Sequence, residues 1–323
     1  VNYTRTASIT LCILLLAIIT ASASYAGDRP LNTTFREDIH GGFVFTTGNS
    51  TYEGTLERGG QYFTQFSVSI PPGSKIRYQR LYVYWTWSKN GDQAVYPETR
   101  VSIPGDNGSL VRDIRFTDTK GFASKNDFFS GMDSYNLPLT QKDGNLTIMV
   151  ENTATDNSTF AVLGMGILTI YEGLDAPRSI IQVLEGCDLL YSSYGITPEM
   201  ATNTLEFKGP IDIGKVNSAR LLLVAPSGGY SRTDIPEKNR MIVNRIGGGR
   251  LPGVFDAVLK ILFPANQGKV WTDVFSSDEQ HQIGIEEKEI RPYLRPADNV
   301  IEVQDNGDYF ELTNAVLAVE YNS

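Results

Sequence analysis

The sequence predicts a mainly β protein, built as two tandem antiparallel β-sandwich domains that arise from an internal duplication. Three observations predict it. Thr, Val, Ile and Tyr recur in short runs punctuated by 30 Gly and 15 Pro, which favours strands and tight turns over helices. Apolar residues make up 41% of the chain and charged residues 20%, enough to bury a core and too apolar for disorder. Finally, two segments recur in the same order. Lys75-Ile76-Arg77-Tyr78-Gln79-Arg80-Leu81-Tyr82-Val83 matches Lys215-Val216-Asn217-Ser218-Ala219-Arg220-Leu221-Leu222-Leu223, and Asn145-Leu146-Thr147-Ile148-Met149-Val150-Glu151-Asn152 matches Asn299-Val300-Ile301-Glu302-Val303-Gln304-Asp305-Asn306. Each half closes in a β-rich run, 166–171 and 315–321. Domains cluster at about 100 to 150 residues, so the expected division is 27–174 and 175–323, with the joint at Glu172-Gly173-Leu174-Asp175-Ala176-Pro177.

Residues 1–26 read as a secretory signal peptide. Arg5 stands in a polar opening segment, 9–19 is an apolar run, and Ser24-Tyr25-Ala26 puts small residues at a cleavage site. The apolar run is about half the ~20 residues that span a bilayer. Cleavage rather than membrane insertion is therefore expected, with a secreted or cell-surface protein as the product, retained on the cell by assembly.

In the first half, strands are expected at 41–47, 62–70, 80–87, 145–151 and 159–171, separated by turns such as Pro71-Pro72-Gly73 and Lys142-Asp143-Gly144. Strict alternation along 80–87 puts Leu81, Val83, Trp85 and Trp87 on one face and Arg80, Tyr82, Tyr84 and Thr86 on the other. A strand with aromatic surface on both faces belongs in the middle of a layered structure or beneath an interface, because exposing that area is unfavourable. The second half predicts strands at 179–184, 218–224, 300–304 and 314–321. One short helix is expected at 254–263, where Val254, Val258, Leu259 and Leu262 form a stripe.

A net charge of -9 without a basic stripe argues against nucleic acid and anionic membranes, which both need clustered Lys and Arg. His40 and His281 lie in no zinc spacing, no GxSxG accompanies them, and the adjacent Glu286-Glu287 would point to opposite faces of a strand. Gly247-Gly248-Gly249 lacks the Lys-Ser/Thr of a phosphate loop. A non-enzyme with no catalytic residue is expected, and a secreted hydrolase is the weakest alternative. Asn32, Asn49, Asn107, Asn145 and Asn157 are candidate glycosylation sites, all in the first half, which is therefore expected to be the half facing solvent. Asp305 and Asp308 gather oxygen atoms of the kind calcium favours on what is also a hairpin-turn sequence. Trp85 and Trp87 are either a sugar-stacking platform or core. Cys187, alone once the leader is gone, is either a buried thiol or one arm of an intermolecular disulfide.

The run Leu81-Tyr82-Val83-Tyr84-Trp85-Thr86-Trp87-Ser88, followed by Tyr96-Pro97, resembles the signature of an uncharacterised domain family of secreted and cell-surface proteins in methanogenic archaea. Leu184-Glu185-Gly186-Cys187-Asp188-Leu189-Leu190-Tyr191 with Tyr194-Gly195-Ile196-Thr197-Pro198-Glu199-Met200-Ala201-Thr202, and Gln304-Asp305-Asn306-Gly307-Asp308-Tyr309, resemble further blocks of it. The resemblance implies an archaeal envelope setting, S-layer or sheath, and no catalytic residues. The expected function is a structural or adhesive protein that associates with itself as a homo-oligomer or lattice, with envelope glycans as a further partner. The alternative is a secreted carbohydrate-binding module that uses Trp85 and Trp87 or the Asp305 turn.

Overall fold

The computed structural model describes residues 27–105, 108–120, 128–138, 144–230, 235–245 and 268–322. The leader, Asn107 and the helix expected at 254–263 lie outside the described residues. The first half holds β1 (Asn32–Thr46), β2 (Thr55–Leu56), β3 (Gln61–Val68), β4 (Lys75–Asn90), β5 (Gln93–Ala94), β6 (Thr99–Ser102), β7 (Arg112–Asp118), β8 (Phe129–Asn136), β9 (Gly144–Asn152) and β10 (Thr159–Glu172). The second holds β11 (Arg178–Leu190), β12 (Thr202–Pro210), β13 (Val216–Pro226), β14 (Asn239–Val243), β15 (Lys269–Thr272), β16 (Ile283–Glu289), β17 (Ala297–Asp305) and β18 (Phe310–Tyr321). Among the described residues the helical turns are two 3-10 turns, Ile213–Lys215 and Arg291–Tyr293. No described helix is long and apolar enough to cross a membrane.

In the second half, one sheet runs β11-β18-β13-β16 and the other β12-β17-β14-β15. Numbered along the chain these are 1-8-3-6 and 2-7-4-5, the jelly-roll arrangement of two Greek keys. Setting aside the two-residue strands β2 and β5, the first half repeats this order as β1-β10-β4-β8 and β3-β9-β6. Its fifth strand departs: β7 has left the small sheet and pairs with β8 on the large one. The strands that carry the recurring segments, β4 with β13 and β9 with β17, occupy equivalent places.

Three cores divide the interior. Leu81, Val83 and Trp85 pack with Phe66, Ile148 and Ile167 between the sheets of the first half. Leu221, Leu223, Phe207, Val303 and Phe310 do the same in the second. The third core lies between the two large sheets, where Tyr82, Tyr84, Met132 and Leu168 meet Ile181, Val183, Leu222 and Val316. Four sheet layers therefore stack, and the two-sided aromatic strand β4 lies in an inner layer, as its residues predict.

The alternation fails at one position. Pairing of β4 with β8 slips between Trp85 and Ser88, and Trp87 sits at φ 55°. This bulge puts an extra residue into β4 and turns the next side chain around. Trp85 is fully buried whereas Trp87 is 57% exposed, so the two indoles form neither one platform nor one core face.

Strand β1 joins the halves. Residues 32–40 pair with β11 and 41–46 with β10, so one strand passes from the second half's sheet to the first's. Gly41 stands at the crossing: a Cβ there would lie 1.9 Å from the Tyr171 carbonyl oxygen, which leaves room for glycine alone. Gly41 N–H donates to Pro177 O at 3.0 Å and Gly173 N–H to His40 O at 2.9 Å, closing the joint.

Candidate functional site

Buried polar groups concentrate at the seam between the large sheets. Arg80 on β4 meets Glu185 on β11, with Nε 2.9 Å from Oε1 and Nη2 3.0 Å from Oε2, and Tyr82 donates its hydroxyl to Oε1 at 2.7 Å. Arg80 also donates to Asp113 at 2.7 Å, Asn136 at 2.8 Å and Ser134 at 2.9 Å. Tyr84 donates to Asn314 Oδ1 at 2.8 Å. Burial pushes the Glu185 carboxyl up, against Arg80 and Tyr82. Burial disfavours the Arg80 charge, but Glu185, Tyr78, Asp113 and Tyr82 together outweigh it and push the guanidinium up. A desolvated pair of this kind fixes how two surfaces meet more than it adds net stability.

At one end of the seam, segments distant in the chain converge. Lys120, just past the end of β7, has its Nζ 2.8 Å from Asp118 Oδ2, 2.8 Å from Asp28 Oδ1, and hydrogen-bonded to Asp188 Oδ1 on β11. The three carboxylates offer oxygens within 4.8 Å of one another, a donor set suited to a hard cation, and the Lys120 ammonium stands among them. Leu189 N–H donates to Asp118 Oδ2 at 2.8 Å and Asn203 Nδ2 to Asp188 Oδ2 at 2.6 Å. Burial pushes Asp188 up to about 6 in spite of Lys120 and Asn203. Burial opposes the Lys120 charge, yet Asp188 and Asp118 prevail and push it up.

Glu311 on β18 is buried nearby, beside the Thr86 and Ser130 hydroxyls, which bond each other at 2.7 Å. Burial pushes Glu311 from the ordinary 4.5 up to about 8. The native state therefore holds a proton on Glu311 that the unfolded chain has released, and stability falls as pH rises from about 4.5 to about 8. Asp188 acts in the same direction between 3.8 and about 6. Glu311→Gln, which imitates the protonated form, is expected to flatten the upper part of that decline in urea melts taken from pH 5 to 8.5; an unchanged slope would refute the assignment.

Cys187 lies beside this cluster, 3% exposed, at a register shift of β11 against β18. Burial, then Glu311, Asp118 and Asp188, hold its thiol far above the usual range, so it is neutral and unreactive. Its burial favours the buried thiol over the intermolecular disulfide. Cys187 is expected to resist alkylation by iodoacetamide in the native protein and to react fully in denaturant, read by mass spectrometry.

The remaining candidates fall as follows. Asp305 accepts from the backbone N–H groups of Ser192, Gly307, Asp308 and Tyr309, and Asp308 Oδ2 accepts from Gly229 N–H and Asn239 Nδ2. These carboxylates anchor a turn, in which donors occupy both Asp305 oxygens and Asp308 Oδ2 while Asp308 Oδ1 is buried without a hydrogen-bond partner. Asn32, Asn49, Asn145 and Asn157 are exposed. His281 bonds Asp278 at 3.2 Å on the surface, and His40 meets Ala176 O at 3.2 Å. Unforeseen from the sequence is an aromatic row across the seam. Trp87 and Tyr309 interact through their side chains, Tyr309 stands edge-on to Tyr191 at 5.2 Å, and Tyr191 to Tyr194 at 6.1 Å. Three of the four, Trp87, Tyr194 and Tyr309, have positive φ (55°, 52° and 78°), an uncommon conformation for bulky residues that marks functional sites more often than chance.

Solved structures with some likeness include the Sulfolobus turreted icosahedral virus (13% identity, 86% of this chain and 90% of that one, TM-score 0.19). The major capsid protein P2 of bacteriophage PM2 is similar at 10% identity, over 87% and 98% of the two chains, with TM-score 0.19. The plant receptor-like kinase ANX2 is similar at 8% identity, over 90% of each chain, with TM-score 0.22. Scores this low carry no argument about this chain. No curated protein matches it. A family model described as "Protein of unknown function (DUF3344)" matches residues 24–320, nearly the full length. With its sequence blocks meeting at one buried seam and the family model spanning both halves, the chain belongs to the DUF3344 family.

Proposed function

We propose that the protein is a non-enzymatic structural or adhesive component of an archaeal cell envelope, secreted by its leader and acting by self-association. The observation that carries this reading is the sealing of the seam. An enzyme presents its reactive groups to a space that substrate can enter. Here Glu311, Cys187, Asp188 and Lys120 are buried between layers, the Lys120 side chain 6% exposed, and Lys120 and Asp188 are engaged with each other. Such groups hold sheets together. Exposed Asn32, Asn49, Asn145 and Asn157 suit a glycosylated outer face. Negative-stain imaging of the purified protein tests the proposal: sheets, tubes or fibres are expected, and single particles at all concentrations would overturn it.

A second reading, carbohydrate binding, is favoured by the row of Trp87, Tyr309, Tyr191 and Tyr194, whose ends are 57% and 70% exposed. Exposed aromatic faces suit the apolar faces of sugars. Retention in affinity electrophoresis on envelope polysaccharide, lost in Trp87→Ala without a change in melting temperature, would support it.

A further inference from the structure

We propose that Lys120 and Asp188 condense to an intramolecular amide that ties the first half of the molecule covalently to the second. Lys120 follows β7 and Asp188 lies on β11, so the bond would cross the seam. The two side chains are in hydrogen-bond contact, with Asp188 buried and the Lys120 side chain almost so.

The reaction needs an amine, a neutral carboxyl as electrophile, and a group to carry protons between them. Burial biases Asp188 towards its protonated form, which is the electrophilic one. Asp118 Oδ2 lies 2.8 Å from Lys120 Nζ and is held by Leu189 N–H, in position to accept a proton from the ammonium. The freed amine attacks Asp188 Cγ and the new C–N bond forms. Asn203 Nδ2, 2.6 Å from Asp188 Oδ2, donates to the oxygen that gains charge in the tetrahedral intermediate. The intermediate then collapses with Oδ2 as the amide oxygen and the Cγ–Oδ1 bond breaking. Oδ1 leaves as water with the two protons that nitrogen sheds, the first passed through Asp118 to make the Asp188 carboxyl neutral and the second delivered through Asp118 as the bond breaks. An ammonium and a carboxylate become a neutral amide and one water; charge and atoms balance, and no oxidant is required.

The environment supplies the driving force. A desolvated ion pair is costly to keep, whereas an amide carries no net charge and the water departs to bulk solvent. Geometry selects the partner. Asp118 is two residues from Lys120 and would close only a local ring, and Asp28 is a quarter exposed, where water competes for the carboxylate. The inference stands apart from self-association, since a linked protein that fails to assemble leaves it intact.

Tryptic peptide mapping of the full, natively folded protein tests it. Cleavage after Lys120 should be blocked, and residues 116–125 should appear joined to residues 179–208 at about 18 Da, one water, below the summed mass. Lys120→Arg keeps the cation but not the primary amine, and should release the two peptides unlinked. Asp118→Ala should lower the linked fraction at least tenfold while leaving both reacting groups in place. Recovery of free 116–120 and unmodified 179–208 from the folded wild-type protein would overturn the proposal, as would a link from Lys120 to Asp118 or Asp28.

Discussion

Arg80→Ala is expected to lower the unfolding free energy by about 3–5 kcal/mol, the cost of leaving a buried carboxylate without its counter-charge. Arg80 and Glu185 are each buried, and the guanidinium gathers Glu185, Asp113, Asn136 and Ser134 at once. Lysine, with a single ammonium, cannot reproduce that fork, so Arg80→Lys should recover little. The paired change Arg80→Met with Glu185→Leu removes both charges and should recover most of the loss. Urea denaturation of the full chain measures all three variants. A loss below about 1 kcal/mol for Arg80→Ala would place the pair in the range of solvent-screened surface bridges and refute its role at the seam.

Trp85→Ala should cost a similar amount, about 3–5 kcal/mol, as the removal of a buried aromatic leaves a cavity in the first core. The site is tightly fitted. The Trp85 ring lies against Gly131 on β8, where a Cβ would come within 2.4 Å of it, and the Arg115 guanidinium stands 5.3 Å from its centre on the way to Asp133. Trp87→Ala, two residues on, should change stability by less than about 0.5 kcal/mol, as exposed substitutions do. The contrast within one pair of tryptophans is the measurement that matters. Equal losses would mean that β4 has no bulge and that its alternation runs on.

The strands most legible in the sequence are those whose buried faces are apolar. Leu81, Val83 and Trp85, or Leu221 and Leu223, alternate as a core-facing strand should. Strands β7 and β8 were not legible because polar residues interrupt what they bury: Asp118 on β7 and Ser130, Asp133 and Ser134 on β8 lie buried beside Met132 and Tyr135, with Asp133 paired to Arg115 and Ser134 accepting from Arg80. Strand β16 reads as a charged surface stretch because it is an edge strand with Glu286 and Glu287 paired to Lys288 and Arg220. The site was half legible. Glu185 and Asp188 between Leu184 and Leu189 are charges inside an apolar strand, a signal of buried partners. Their partners Arg80 and Lys120 are far away in the chain, and no spacing rule connects them.

The crossing of β1 from one sheet to the other has a consequence for how the chain acquires its structure. β1 is the first described strand to be synthesised, yet residues 32–40 find their partner only when β11 has emerged, and β11 in turn is flanked by β18, the last described strand. Contacts between such distant segments make folding slow, since loop closure precedes any reward from pairing. A nascent first half would hold nine residues of β1 as an open edge, a template for pairing with another chain until β11 arrives. The two jelly rolls, though alike in strand order, are thus bound to one late folding event, and a truncation at the joint would yield an aggregation-prone fragment in place of a smaller version of the whole.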